Sequence, residues 1–211
     1  MNKNIPYKGF EQGPIRPPSE ANSLLLRISR NCPWNRCTFC SLYKGEKFGP
    51  RPVEHLIKDI DTVRFYVDAI QAAVQSGNRI SQTELLKLSP EDDEGQLQAI
   101  YAASNFVACG MESVFFQDAN SLVIKPDYII QILRHLRQVF PDIKRVTSYA
   151  RSHTIARISD EKLQAMADAG LNRIHIGMES GSDAVLERVK KGVDKEIQIT
   201  AGQKIKRAGI Q

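Results

Sequence analysis

Asn31-Cys32-Pro33-Trp34-Asn35-Arg36-Cys37-Thr38-Phe39-Cys40 decides how the rest of the chain is read. Three of the four cysteines fall inside nine residues, spaced C-x4-C-x2-C, directly after the apolar run Leu24-Leu25-Leu26-Arg27-Ile28. Three soft thiolates on one short loop can grip a metal centre together, because a short loop loses little entropy in bringing them close. They cannot all pair as disulfides, and only Cys109 remains elsewhere. The triplet therefore reads as a metal-binding set, with inert or regulatory thiols as the plain alternative.

Upstream of the loop, residues 23–29 form a strand whose alternation puts Leu24, Leu26 and Ile28 on one face and Leu25, Arg27 and Ser29 on the other. Residues 1–22 carry Pro6, Pro14, Pro17 and Pro18 without any period and read as an extended N-terminal arm. Downstream, Val53, Leu56, Ile57, Ile60, Val63, Val67, Ile70 and Val74 recur at helical spacing until Gly77-Asn78. A less patterned stretch follows, an insertion at about 76–110 in a core domain spanning 23–211. Within it, Ser89-Pro90-Glu91-Asp92-Asp93 opens a helix that runs towards Gly110.

From there a unit repeats. Strands at Ser113–Phe116, Lys144–Tyr149 and Asn172–Gly177 alternate with helices, one burying Ile129, Ile132, Leu133 and Leu136 and another opened by Ser159-Asp160-Glu161. Polar turns follow the strands: Gln117-Asp118-Ala119-Asn120-Ser121, Arg151, and Met178-Glu179-Ser180-Gly181-Ser182. Two short helices divided by Gly192 come last. Alternating strands and helices give an α/β fold with a parallel sheet, which binds ligands at the carboxyl ends of its strands.

Composition is that of a soluble globular protein, with 42% hydrophobic and 25% charged residues. Few cysteines, no framework spacing and no apolar core in Met1–Phe10 place it in a reducing cytoplasm, and no run is long enough for a membrane span. The net charge of +5 permits an acidic partner such as RNA or an electron-transfer protein, although no RNA-binding module is evident.

Several metal readings fit the thiols. Structural zinc needs a fourth ligand from Cys109, His55, His135, His153 or His175, none nominated by spacing. Plant-type [2Fe–2S] ferredoxins share C-x4-C-x2-C with a later cysteine, a place Cys109 can fill. A four-iron cluster held by three cysteines keeps one iron open, which is a site for chemistry.

Cys32, Cys37 and Cys40 after a first strand, with Phe39 before the last cysteine, resemble the cluster loop of the radical S-adenosylmethionine (radical SAM) superfamily. The usual spacing there is C-x3-C-x2-C, so the first gap here is one residue longer. The run Gly177-Met178-Glu179-Ser180-Gly181-Ser182-Asp183-Ala184-Val185-Leu186, then Lys191-Gly192, is similar to the fourth-strand segment of the group containing methylthiotransferases, oxygen-independent coproporphyrinogen oxidases and the anaerobic cyclase.

The resemblance implies a partial (β/α)6 barrel, TIM-like, with about the first four β-α units in this chain. It implies a [4Fe–4S] cluster on Cys32, Cys37 and Cys40, and S-adenosylmethionine chelated to the open iron. Reductive cleavage then yields methionine and a 5′-deoxyadenosyl radical that takes hydrogen from a substrate the sequence does not name. Electrons are expected from a small donor such as flavodoxin or ferredoxin. The competing reading is a non-catalytic iron–sulfur electron carrier or a zinc-stabilised binding module.

For the cofactor, Asp118 and Asn120 are expected near the methionyl ammonium group, Arg151 at its carboxylate, and Glu179 with Ser180 at the ribose. His175 faces the barrel interior if Ile174 and Ile176 face the helices. Later strands of the family barrel would follow Gln211, so the chain is expected to be a piece of a longer protein, poorly active alone.

Overall fold

Alternate residues of the first apolar run are buried, as a half-covered strand requires: Leu24 and Leu26 fully, Leu25 and Arg27 only partly, in β1 (Leu24–Arg27). The computed structural model describes residues 5–88 and 94–211. The helix start expected at Ser89-Pro90-Glu91-Asp92-Asp93 lies outside the described residues.

Past β1, β2 (Ser29–Arg30) pairs antiparallel with β3 (Gly49–Pro50), drawing together the two ends of the cysteine loop. Next come α1 (Val53–Gln75), α2 (Gln82–Leu88) and α3 (Gln96–Ala108). The repeating units are β4 (Ser113–Gln117) with α4 (Pro126–Val139), β5 (Arg145–Ala150) with α5 (Ser152–Arg157) and α6 (Asp160–Asp168), and β6 (Arg173–Ile176). The last helices are α7 (Asp183–Arg188) and α8 (Lys195–Arg207). Ser159 caps α6 by accepting from Lys162 N, as its sequence suggests.

The sheet is parallel throughout and ordered β1-β4-β5-β6. Strand order follows chain order, without the reversal of a doubly wound sheet, so the chain winds one way and keeps its helices on one face. That is a partial TIM-like barrel. Leu24, Leu26, Val114, Phe116, Val146 and Ile174 point at the helices and share one core with Ile60, Val63, Phe106, Leu133 and Met166. In α4 the four positions read as its buried face, Ile129, Ile132, Leu133 and Leu136, are all fully buried, each worth about 2 kcal/mol of apolar burial. Beside β6, Gln211 donates its N–H to Asn172 O and accepts from Ile174 N, at 3.0 and 2.8 Å.

On the other face Phe115, Tyr149 and His175 form a ring cluster, with centroids 5.0 Å apart for Phe115–Tyr149 and 5.8 Å for Tyr149–His175. The N-terminal arm runs down this inner face. At the top, the Gln117 side chain accepts from Gly13 N at 2.8 Å and donates to Ile15 O at 2.6 Å. At the bottom, Glu20 is wholly buried, accepts from Ser23 Oγ at 2.5 Å and pairs with Arg145 at 3.3 Å and Arg173 at 3.8 Å. His175 Nε2 lies 3.7 Å from the same carboxylate. The interior histidine inferred from strand alternation is in place. No helix among the described residues is long and apolar enough to cross a membrane.

A buried carboxylate facing two arginines is costly to remove, although both arginines are partly exposed and keep some hydration. Glu20→Ala is expected to lower unfolding free energy by about 1–3 kcal/mol, read as a reduced urea midpoint at unchanged m-value.

Candidate functional site

The cysteine loop turns at two asparagines in the left-handed region, Asn31 with φ 66° and Asn35 with φ 47°, a conformation asparagine tolerates better than most residues. Asn31 Nδ2 donates to Lys47 O at 2.8 Å, and Asn35 Nδ2 donates to Tyr43 O. Asn35 N donates to Cys32 Sγ at 3.4 Å. The loop is thus closed on itself by its own amides before any ligand is considered.

It also docks on the segment that follows β6. Trp34 Nε1 donates to Lys190 O at 2.8 Å and Thr38 N to Val189 O at 3.0 Å. Gly192, with φ 74°, lies under the indole, and a Cβ there would sit 2.3 Å from the ring. Only glycine meets both demands. A Cβ at Gly177 would approach Glu179 Oε1 to 2.9 Å and Lys191 Nζ to 3.1 Å, but these are the mobile ends of long side chains, so the demand for glycine is weaker there.

These contacts enclose a cavity of about 210 Å3 at the carboxyl ends of the strands, where Cys32, Cys37 and Cys40 meet Arg151, Glu179 and Lys191. Ile15 of the arm, Trp34, Phe39 and Tyr149 supply apolar wall. The Arg151 guanidinium stacks 4.7 Å from the centre of the Trp34 ring and donates through Nη2 to Lys191 O at 2.6 Å. Lys191 Nζ donates to Glu179 Oε1 at 2.9 Å. Burial pushes the Cys37 thiol up, Lys191 and Arg151 pull it down, and neighbouring Cys32 and Cys40 push it up again. Burial lowers Arg151, opposed by Cys32 and Cys37. Cations and thiols act on one another across this one cavity.

Of the residues expected from sequence, the three cysteines, Arg151 and Glu179 are brought together. Asp118, Asn120 and Ser180 stand outside the cavity wall. Asn120 is buried, donates to Thr154 Oγ1 at 2.8 Å and accepts from Arg151 N at 3.1 Å, so it sets the backbone on which Arg151 leaves β5. Ser180 Oγ accepts from Ser182 N at 3.1 Å, and its carbonyl accepts from Gln198 Nε2 at 2.9 Å. Asp118 is wholly buried between the loop and β1. Ser182, at the N-cap position of α7, makes no side-chain cap bond, and Asp183 Oδ1 accepts from Lys195 N. Trp34 and Tyr43 were given no role from the sequence, and Lys191 entered only as part of the run ending Lys191-Gly192. The signal for them was Lys191-Gly192, a glycine placed where an aromatic ring must pass.

Cys109 caps the end of α3, just before β4 begins, at the opposite end of the sheet from the loop. It is not placed to be a fourth ligand. Among the described residues no three His, Cys, Asp or Glu side chains converge on a point that one ion could occupy. Iron–sulfur clusters take cysteine thiolates as their ligands, one to each iron. The donor set here, three thiols, two cations and an open apolar side, fits a cluster with an exchangeable position.

The radical SAM superfamily profile matches residues 26–211, and the chain belongs to that superfamily. It is 26% identical over 192 residues to 4′-phospho-dehydrooxetanocin synthase of Priestia megaterium, an alignment covering 89% of this chain and 22% of the relative. In fold it is similar to the cobalamin-dependent S-adenosylmethionine radical enzyme OxsB solved with aqua-cobalamin and S-adenosylmethionine, with TM-score 0.54 and 21% identity over 88% of this chain. The structure of OxsB with aqua-cobalamin alone gives 0.53 and 20%. In each case the chain spans 22% of the length of the protein it matches.

The packing of Trp34 on Gly192 can be read directly, because Trp34 is the sole tryptophan. Gly192→Ala is expected to red-shift its emission and to cost about 1–3 kcal/mol of stability through backbone strain and the displaced ring.

Proposed function

We propose that Cys32, Cys37 and Cys40 hold a [4Fe–4S] cluster, that the adjoining cavity takes S-adenosylmethionine, and that the chain is the catalytic core of a radical SAM enzyme. One observation carries this reading: the three thiols, Arg151 and Glu179, arriving from the ends of three strands, line a single cavity. When bound, such a cluster supplies the electron that splits the sulfonium carbon–sulfur bond and so starts hydrogen abstraction from substrate.

The protein's own part is binding and exclusion. Arg151 spends one guanidinium nitrogen on Lys191 O, and its other N–H groups make no hydrogen bond to a described residue. They are available for the methionyl carboxylate, for which a planar fork is well matched. Glu179 gives Oε1 to Lys191 and keeps Oε2 for the ribose hydroxyls. Lys191 thereby joins the positions of both groups. Asn120 serves the cofactor indirectly, by fixing Arg151 N, and Ser180 by holding the turn that presents Glu179. Trp34, Phe39 and Ile15 supply the apolar wall against which the cofactor would displace water. A reducing compartment and a small acidic donor such as flavodoxin or ferredoxin complete the proposal.

Anaerobic reconstitution tests it. The expected yield is about four iron and four sulfide per chain, and dithionite then releases 5′-deoxyadenosine and methionine from S-adenosylmethionine. Cys37→Ser is expected to lose the cluster. Retention of zinc in place of iron, or a cluster whose irons are all held by side chains, overturns the reading.

Within the cavity, Glu179→Gln and Arg151→Ala are each expected to weaken S-adenosylmethionine binding by about ten- to a hundredfold, the range of one lost charged hydrogen bond, at unchanged iron content. Equilibrium binding to the reconstituted protein measures this.

A further inference from the structure

Asp118 was expected to meet the ligand, yet its carboxylate has no route to it. The side chain is fully buried and lies outside the cavity lining. Arg27 of β1 donates twice, from Nε at 3.1 Å and from Nη2 at 2.9 Å. Asn31, the residue before Cys32, donates its backbone N–H at 3.1 Å. Tyr43, three residues after Cys40, donates its hydroxyl to the other oxygen. Three of these donors converge on Oδ2 and the fourth, Tyr43, meets Oδ1. The arm closes the remaining side, for a Cβ on Gly13 would come within 3.1 Å of Oδ1.

From this geometry we infer that Asp118 is a positioning residue for the thiol loop and takes no ligand. It is anchored at the end of β4, beside the strand whose Arg27 it grips. From there one carboxylate ties down the loop's entrance through Asn31 and its exit through Tyr43. The distance from Cys32 to Cys40 is thus set by a group that touches neither. A buried carboxylate tolerates no missing partner, so the clamp is rigid in a way that a solvated bond would not be. Tyr43 stays a donor: burial first, and then its bond to Asp118, push its hydroxyl well above the ordinary range. The consequence for catalysis rests on the cluster reading above, whereas the clamp itself does not.

The test therefore uses iron-free, fully reduced protein and the rate at which each thiol reacts with 5,5′-dithiobis(2-nitrobenzoate), resolved by peptide mass spectrometry. Asp118→Asn is expected to speed Cys32, Cys37 and Cys40 by about ten- to a hundredfold, as expected for losing charged hydrogen bonds that hold a loop closed. Cys109, at the far end of the sheet, keeps its wild-type rate. Tyr43→Phe frees only the exit, so Cys40 gains more than Cys32, and this variant carries the test if Asp118→Asn does not fold. After reconstitution, Tyr43→Phe is expected to change the line shape of the reduced cluster's electron paramagnetic resonance. Unchanged loop-thiol rates in a folded Asp118→Asn protein, or a parallel rise at Cys109, overturn the inference. Unchanged rates joined to weaker S-adenosylmethionine binding return Asp118 to the ligand. Failure of any cluster to assemble counts against the proposed function and leaves the thiol rates standing.

Discussion

A carboxylate withdrawn from water needs cations and hydrogen-bond donors from the protein in place of the hydration it loses. That constraint shapes the inner face of this sheet at both ends. Asp118 at the carboxyl ends of the strands and Glu20 at their amino ends are both fully buried. Each is met by arginines rooted in the sheet: Arg27 above, Arg145 and Arg173 below. Between them lie the Phe115, Tyr149 and His175 rings. The interior is therefore a stack, with a polar floor, an aromatic middle and a charged roof on which the thiol loop is mounted.

The arm joins floor to roof. Glu20 is part of the floor, Ile15 reaches the cavity wall, and Glu11 is shared by Arg30, Arg51 and Arg27. Burial alone would push the Glu11 carboxyl up, but Arg30, Arg51 and Arg27 together hold it below its usual value. Prolines at 14, 17 and 18 fix φ and reduce the entropy lost in laying this segment against the sheet. A stretch without periodicity thus contributes to the site because its energy comes from a few charged anchors and from stiffness.

What was legible in the sequence follows from which interactions are local. The strands and α4 announce themselves by period, because burial on one face imposes it, and the parallel order follows from the alternation with helices. The three cysteines are close in sequence, so their common cavity was legible too. Asp118 and Asn120 were correctly placed at a strand end, but nothing local says whether such a side chain faces the cavity or the loop behind it. That is decided by Arg27 and Tyr43 for one and by Thr154 for the other, partners between 34 and 91 residues away. Ser180 likewise stands outside the cavity wall, in a turn held by Gln198 of α8 through its carbonyl. Long-range polar pairing leaves no periodic trace.

The longer first gap between cysteines has a physical use that the same logic exposes. With four residues between Cys32 and Cys37, Asn35 can take the left-handed turn and direct its N–H at Cys32 Sγ. Trp34 is then free to leave the loop altogether. It reaches across to Gly192, donates to Lys190 O and offers its face to Arg151 and, at 5.1 Å, to Arg36. One gap therefore holds both a turn residue and an anchor. The anchor joins the loop to the segment after β6, which carries Lys191 and, through it, Glu179. Two chain segments about 150 residues apart are locked into one wall by an indole that fits only because the residue beneath it has no side chain.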